Sequence, residues 1–199
     1  MHNKNKYVNI IGIDEAGRGP LAGPLVVGGV MMRSSGAAGD FFAGIRDSKK
    51  LTEKKREEWY RKIVACRGLA WAYAVITPET VDKINIARAA HAGAFTVYKK
   101  LAHKESRVHV LLDGSLHLPC GISQETIIKG DEKIPLISAA SIIAKVTRDR
   151  MMRRLHKKFP QYSFDTNKGY GTLAHMASIL RHGLTPVHRI TFCRFLNST

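Results

Sequence analysis

The chain has 199 residues, 44% hydrophobic and 24% charged, with 32 Lys and Arg against 16 Asp and Glu, a formal charge of +16. That size and balance describe one folded domain, or a domain with a small appendage, and exclude a disordered chain. No window approaches the ~18 apolar residues of a membrane span, and the cationic excess favours a polyanionic partner through counterion release and steering.

The first residues are basic, but the apolar stretch behind them contains Asp14 and Glu15. A secretory signal core does not tolerate such acids, so the expectation is a cytoplasmic protein, with a monomer as the default. Residues 8–13 form a β-branched run ending at a glycine-rich turn, and residues 23–32 a second apolar run; together they read as a hairpin. After a Gly/Ser/Ala-rich connection, Thr52 is placed to cap a helix over 53–66, with Trp59, Ile63 and Cys66 at helical spacing. Residues 69–76 alternate bulky and small side chains like a third strand. Thr77-Pro78-Glu79 then opens one long helical pattern that fades near Leu101. Short strands follow at 108–112 and 126–128, stopped by Asp113-Gly114 and Gly130-Asp131. From Pro135 a small, apolar run to Val146 turns basic at Arg148, Arg150, Arg153, Arg154, Lys157 and Lys158, as in a helix that starts in a core and ends on the surface. A helical stretch near 174–181 and a tail around 188–195 complete the chain. This order gives an α/β sheet with helices packed on it and a helical C-terminal portion. Cys66, Cys120 and Cys193 are widely spaced, form no ligand pattern and read as buried free thiols.

Three acidic positions share one context, an apolar run that ends at an acid beside glycine: Asp14-Glu15 after Ile13, Asp113 after Leu112, and Asp131 after Gly130. Carboxylates gathered at strand ends repel one another unless a cation sits between them. Oxygen-only ligands suit Mg²⁺ or Mn²⁺ and not zinc. Two such ions activate water and stabilise a leaving oxygen in phosphodiester cleavage, which is a hydrolytic nuclease site in outline. Any single acid at a strand end is as readily a turn former or helix cap, and Asp131, before a Pro-initiated helix, is most open to that reading. Neighbours in a regular strand point to opposite faces, so bringing Glu15 to the same site as Asp14 predicts a break from strand geometry at Glu15.

Gly17-Arg18-Gly19 lets the backbone approach a sugar-phosphate chain, although an ordinary hairpin loop explains it equally well. Tyr170, between Gly169 and Gly171, either presents its ring to a base or sugar or packs internally. Lys49 and Lys50 either hold phosphates or form a solvated turn. His175, His182 and His188 have no metal-ligand spacing and read as core or surface residues.

Gly12-Ile13-Asp14-Glu15-Ala16-Gly17-Arg18-Gly19-Pro20 closely resembles the opening motif of the ribonuclease HII family. So do Asp47-Ser48-Lys49-Lys50-Leu51, Leu112-Asp113-Gly114, Lys129-Gly130-Asp131, the run from Ser138 through Lys145 to Asp149, and Gly169-Tyr170-Gly171-Thr172, all in family order. The resemblance implies a ribonuclease H-like fold with a mixed central sheet, a catalytic domain over 1–160 and a substrate-gripping segment over 161–199. It assigns Asp14, Glu15, Asp113 and Asp131 to catalysis, the first three as direct ligands of two Mn²⁺ or Mg²⁺ ions. It implies hydrolysis of the RNA strand of RNA/DNA hybrids and nicking 5′ of single ribonucleotides in duplex DNA, leaving 3′-hydroxyl and 5′-phosphate ends. Gly17, Arg18 and Gly19 would then contact the ribose 2′-OH through the backbone, and Tyr170 would stack on the next deoxyribose. Two departures, Ser115 where Asn is expected and Ile190 in place of a second basic residue, bear on substrate grip. The rival readings are another metal nuclease on the same fold and a non-catalytic RNA-binding protein; the first leaves the two glycine motifs unexplained and the second the embedded acids.

Overall fold

A computed structural model describes residues 9–33, 41–45, 51–103, 105 and 107–197. Ile11 and Ile13 are fully buried on one face of strand β1 (Asn9–Ala16), which makes an antiparallel hairpin with β2 (Leu25–Arg33). Helix α1 (Glu53–Ala65) starts where Thr52 Oγ1 accepts the Lys55 amide at 3.3 Å, the expected cap. Strand β3 (Leu69–Ile76) pairs antiparallel with β2.

The long helical pattern expected from Thr77 is two helices, α2 (Pro78–Ile84) and α3 (Ile86–Ala102). Asn85 separates them: its φ of 65° ends the first, and its side chain caps the second by accepting the Arg88 amide at 3.0 Å. Apolar spacing continues across that break, which is why periodicity alone misses it. Strands β4 (Val108–Asp113) and β5 (Gln124–Ile127) extend the sheet in parallel, giving the order β3-β2-β1-β4-β5. The short α4 (Gly130–Lys133) leads into α5 (Pro135–Lys158), a 24-residue helix laid across β1 and β2.

One apolar layer joins α3 to Ile11, Ile13, Val110 and Leu112; a second joins α1 and α5 to the opposite face. Gly12 and Gly28 make the second contact close, since a Cβ on Gly12 would lie 2.6 Å from the Leu136 carbonyl carbon. The basic half of α5 is not all surface. Arg148 and Asp149 are buried, while Arg150 and Arg153 bind Glu57 of α1 at 2.6 and 3.2 Å. Part of the cationic excess therefore docks helices.

The C-terminal portion holds α6 (Phe164–Asn167) and α7 (Leu173–His182), followed by 3-10 turns. Its own cluster of Tyr162, Phe164, Ile179 and Cys193 closes on Ala22 and Met152. Of the three cysteines only Cys193 is buried; Cys66 is half-buried and Cys120 exposed, because both sit at turns outside the packed layers. Among the described residues no helix is long and apolar enough to cross a membrane.

Candidate active site

The parallel register Ile13↔Leu112 puts Asp14 and Asp113 side by side at the ends of neighbouring strands, both on the α5 face. Asp14 is 1% exposed and Asp113 8%. Asp14 Oδ1 accepts the Glu15 amide at 2.7 Å, while Oδ2 is enclosed and, among the described residues, makes no hydrogen bond. Asp113 Oδ1 accepts the Gly130 amide at 2.6 Å. Together with Glu15 they line a cleft of ≈ 430 Å³, whose other walls are Gly17, Arg18, Gly19, Arg56, Ser141, Lys145 and Tyr170.

Glu15 does not break the strand as expected. β1 runs to Ala16 in register with β2, Glu15 opposite Val27. The pairing with β4 stops at Ile13, so Glu15 stands beyond the sheet on that side, and its carboxylate reaches the cleft from a regular strand. There it meets Arg18 at 3.3 Å.

Asp131 is 1% exposed in α4 and is not among the cleft-lining residues. It stands next to Gly130, whose amide holds Asp113, and its carbonyl accepts the Ser138 hydroxyl. Gly17, Arg18, Gly19 and Tyr170 line the same cleft as the acids. Lys49 and Lys50 lie outside the described residues. Ser141, Lys145 and Arg56 are cleft residues that sequence reasoning did not single out. The signal for the first two was present: positions four apart on one apolar helix share a face. Lys145 also pairs with Asp149 at 2.9 Å.

Electrostatics explain what the cleft wants. Burial, then the charges of Glu15 and Asp113, push the Asp14 carboxyl well above the usual range, only partly offset by Ser141 and the Glu15 amide. A divalent cation would relieve both the crowding and the enclosed Oδ2. Among the described residues no three His, Cys, Asp or Glu side chains are closed into a ready-made ligand shell. Each carboxylate is instead turned to a local donor, as like charges sharing a cleft would be. The donor set is oxygen-only and fits Mg²⁺ or Mn²⁺.

Tyr170 is held from below by a histidine relay. The Thr185 amide donates to His188 Nδ1 at 3.0 Å, so His188 carries its proton on Nε2 and donates to His175 Nε2 at 3.2 Å; His175 Nδ1–H then donates to the Tyr170 carbonyl at 2.9 Å. Both rings are neutral in this chain, since a further proton would set N–H against N–H. Burial and His175 push the His188 imidazole down to about 4. The depressed folded value means that stability is complete above the unfolded value near 6.5 and declines as pH falls toward 4. We expect a loss of up to about 3 kcal/mol across that window. Thermal melts at successive pH values will show it, and His188→Asn should flatten the profile; an equally steep profile in the variant would assign the acid sensitivity elsewhere.

A mixed sheet with acids at the ends of two parallel strands, facing a glycine loop and a tyrosine across one cleft, defines a ribonuclease H-like nuclease. The profile of the family described as Ribonuclease HII matches residues 11–195. The chain belongs to the ribonuclease HII family and is an endoribonuclease of RNA/DNA hybrids. It is 44% identical to the ribonuclease HII of Rickettsia bellii (strain OSU 85-389) over 201 residues, covering 98% of this chain and 96% of that one. The ribonuclease H2 of Pyrococcus horikoshii OT3 superposes with a TM-score of 0.75 at 25% identity, over 96% of this chain and 97% of the other. The ribonuclease HII of Archaeoglobus fulgidus, solved in complex with PCNA, superposes with a TM-score of 0.74 at 28% identity, over 91% and 93%.

Proposed function

We propose that this endoribonuclease cuts the phosphodiester on the 5′ side of a ribonucleotide, in a hybrid or as a single residue in duplex DNA, leaving 3′-hydroxyl and 5′-phosphate ends. The observation that carries the reading is the convergence of Asp14, Glu15 and Asp113 with Gly17–Gly19 and Tyr170 on one cleft.

Asp14, Glu15 and Asp113 are the residues that would hold two divalent cations, Mg²⁺ or Mn²⁺. When bound there, such ions supply charge neutralisation at the scissile phosphate and a lowered pKa for water. The protein's own groups do the rest. Asp131, next in sequence to the Gly130 whose amide holds Asp113, would complete the carboxylate set. Arg56 and Lys145 add positive charge to the cleft wall, where they attract the phosphate backbone. The Gly17–Gly19 backbone reads the 2′-OH, the local group that separates RNA from DNA. Tyr170, 46% exposed, offers its ring to the following deoxyribose. Lys49 and Lys50 would hold flanking phosphates, and the portion after 160 would grip the duplex beyond the cut.

The test is a DNA duplex bearing one ribonucleotide, incubated with the protein and Mg²⁺ or Mn²⁺. The expected product is a single nick 5′ of that residue, with no cut in the all-DNA duplex. Cleavage of both duplexes, or of neither, would sink the reading. Tyr170→Ala should lower the rate at the junction through lost stacking, about 1–3 kcal/mol.

A further inference from the structure

Two guanidiniums lie buried beneath the cleft, Arg148 at 1% and Arg189 at 0% exposure, and among the described residues neither forms an ion pair. Burying a cation without an anionic partner is costly unless hydrogen bonds to other acceptors offset the loss of water. Here backbone carbonyls take that role. Arg189 Nη2 donates to the Gly17 carbonyl at 2.7 Å and Nη1 to the Arg18 carbonyl at 3.0 Å, while Nε and Nη2 hold Gly23 at 3.1 and 2.9 Å. Arg148 donates to Pro24, Lys168 and Ala22 at 2.9, 3.0 and 3.2 Å. Burial draws the Arg189 guanidinium down to about 10, which leaves it charged at neutral pH.

These bonds fix a direction. In a trans peptide the carbonyl of one residue and the amide of the next point opposite ways. With the Gly17 and Arg18 carbonyls turned inward to Arg189, the Arg18 and Gly19 amides are turned outward to the cleft, and among the described residues neither makes a hydrogen bond. The Gly17 conformation, φ +97°, is open only to glycine, and the space a Cβ would need is filled by the Arg148 side chain. The same loop is bonded to the tyrosine segment: the Leu21 and Ala22 amides both donate to the Gly169 carbonyl, at 2.8 and 3.2 Å.

We propose that Arg189, backed by Arg148, is a positioning residue for ribonucleotide recognition, locking the Gly17–Gly19 loop and Tyr170 into one rigid reader of the sugar. It deepens the proposed function and rests on the loop amides meeting the 2′-OH. Arg189 touches no substrate; it acts through the two carbonyls.

The experiment compares the full chain with Arg189→Met and Arg189→Lys in Mg²⁺, using kcat and KM on the single-ribonucleotide duplex and the Kd of the uncut all-DNA duplex of the same sequence. Displacing reading groups by about 1 Å costs about 10²-fold. Arg189→Met should therefore lose about 10²-fold in kcat/KM, carried by kcat, with the all-DNA Kd unmoved. Arg189→Lys, which keeps the charge but reaches fewer carbonyls, should fall between. Parallel loss of cleavage and DNA affinity, no loss of either, or failure of both variants to melt cooperatively would give Arg189 a merely structural role and overturn the proposal. If the parent chain itself does not nick the duplex, the underlying functional reading falls; if the parent nicks and the variants match it, only the role of Arg189 does.

Discussion

Replacing Asp14 by Asn is expected to abolish cleavage while raising the melting temperature of the metal-free protein. The two effects share one cause. Asp14 is enclosed beside Glu15 and Asp113, so its charge is unfavourable in the fold until a cation neutralises it. Asn keeps the shape and still accepts the Glu15 amide, but removes the repulsion and the charge proposed to hold a metal ion. Losing several kcal/mol of transition-state stabilisation lowers the nicking rate by about 10³-fold or more. The sign of the stability change follows from linkage: a carboxyl whose folded pKa is raised favours the fold when protonated, and that contribution is lost as pH rises. The gain should appear at neutral pH and vanish on acidification. Nicking assays and paired melts in EDTA check both halves; full-rate cleavage, or a lower melting temperature at pH 7, would contradict them.

Gly28→Ala is expected to cost about 3 kcal/mol of stability, roughly 6–12 °C in melting temperature. A Cβ at Gly28 would stand 2.5 Å from the Ala140 carbonyl oxygen and 2.7 Å from the Ala144 nitrogen. Both are backbone atoms of α5, and a helix backbone cannot step aside like a long side chain. The helix must lift from β2, carrying Ser141 and Lys145 away from the cleft, so activity should fall along with stability. Parental melting together with parental nicking in the Gly28→Ala protein would show that the sheet yields instead. Glycines facing open space, such as Gly114 and Gly121, provide the contrast, although their positive φ makes a smaller local strain there.

Much of the site was legible before any coordinates. An acid placed directly behind a buried run must stand at a strand end, and the β-branched runs before Asp14 and Asp113 marked two such ends. The motifs carried the family and hence the activity. The misses have specific causes. Glu15 was expected to break its strand because alternation alone sends it away from Asp14; the early end of β4 lets it reach the cleft without doing so. Asn85 ended a helix inside a continuous apolar pattern, because one residue at positive φ changes direction without changing hydrophobicity. Arg148 was counted with the surface cations of α5 although it lies under the glycine loop.

By itself the sequence determined the element types, the acids at the strand ends, the glycine loop and the basic character that suits a nucleic-acid partner. These depend on local pattern, composition and motif, which need no partner residue to be read. Only the tertiary structure decided that Asp14 and Asp113 are neighbours, that Glu15 joins them from a regular strand, and that Arg148 and Arg189 turn inward to hold the loop that lines the cleft. Register between strands almost a hundred residues apart, and the burial of a charge on carbonyls from a distant turn, are long-range contacts that local pattern does not encode.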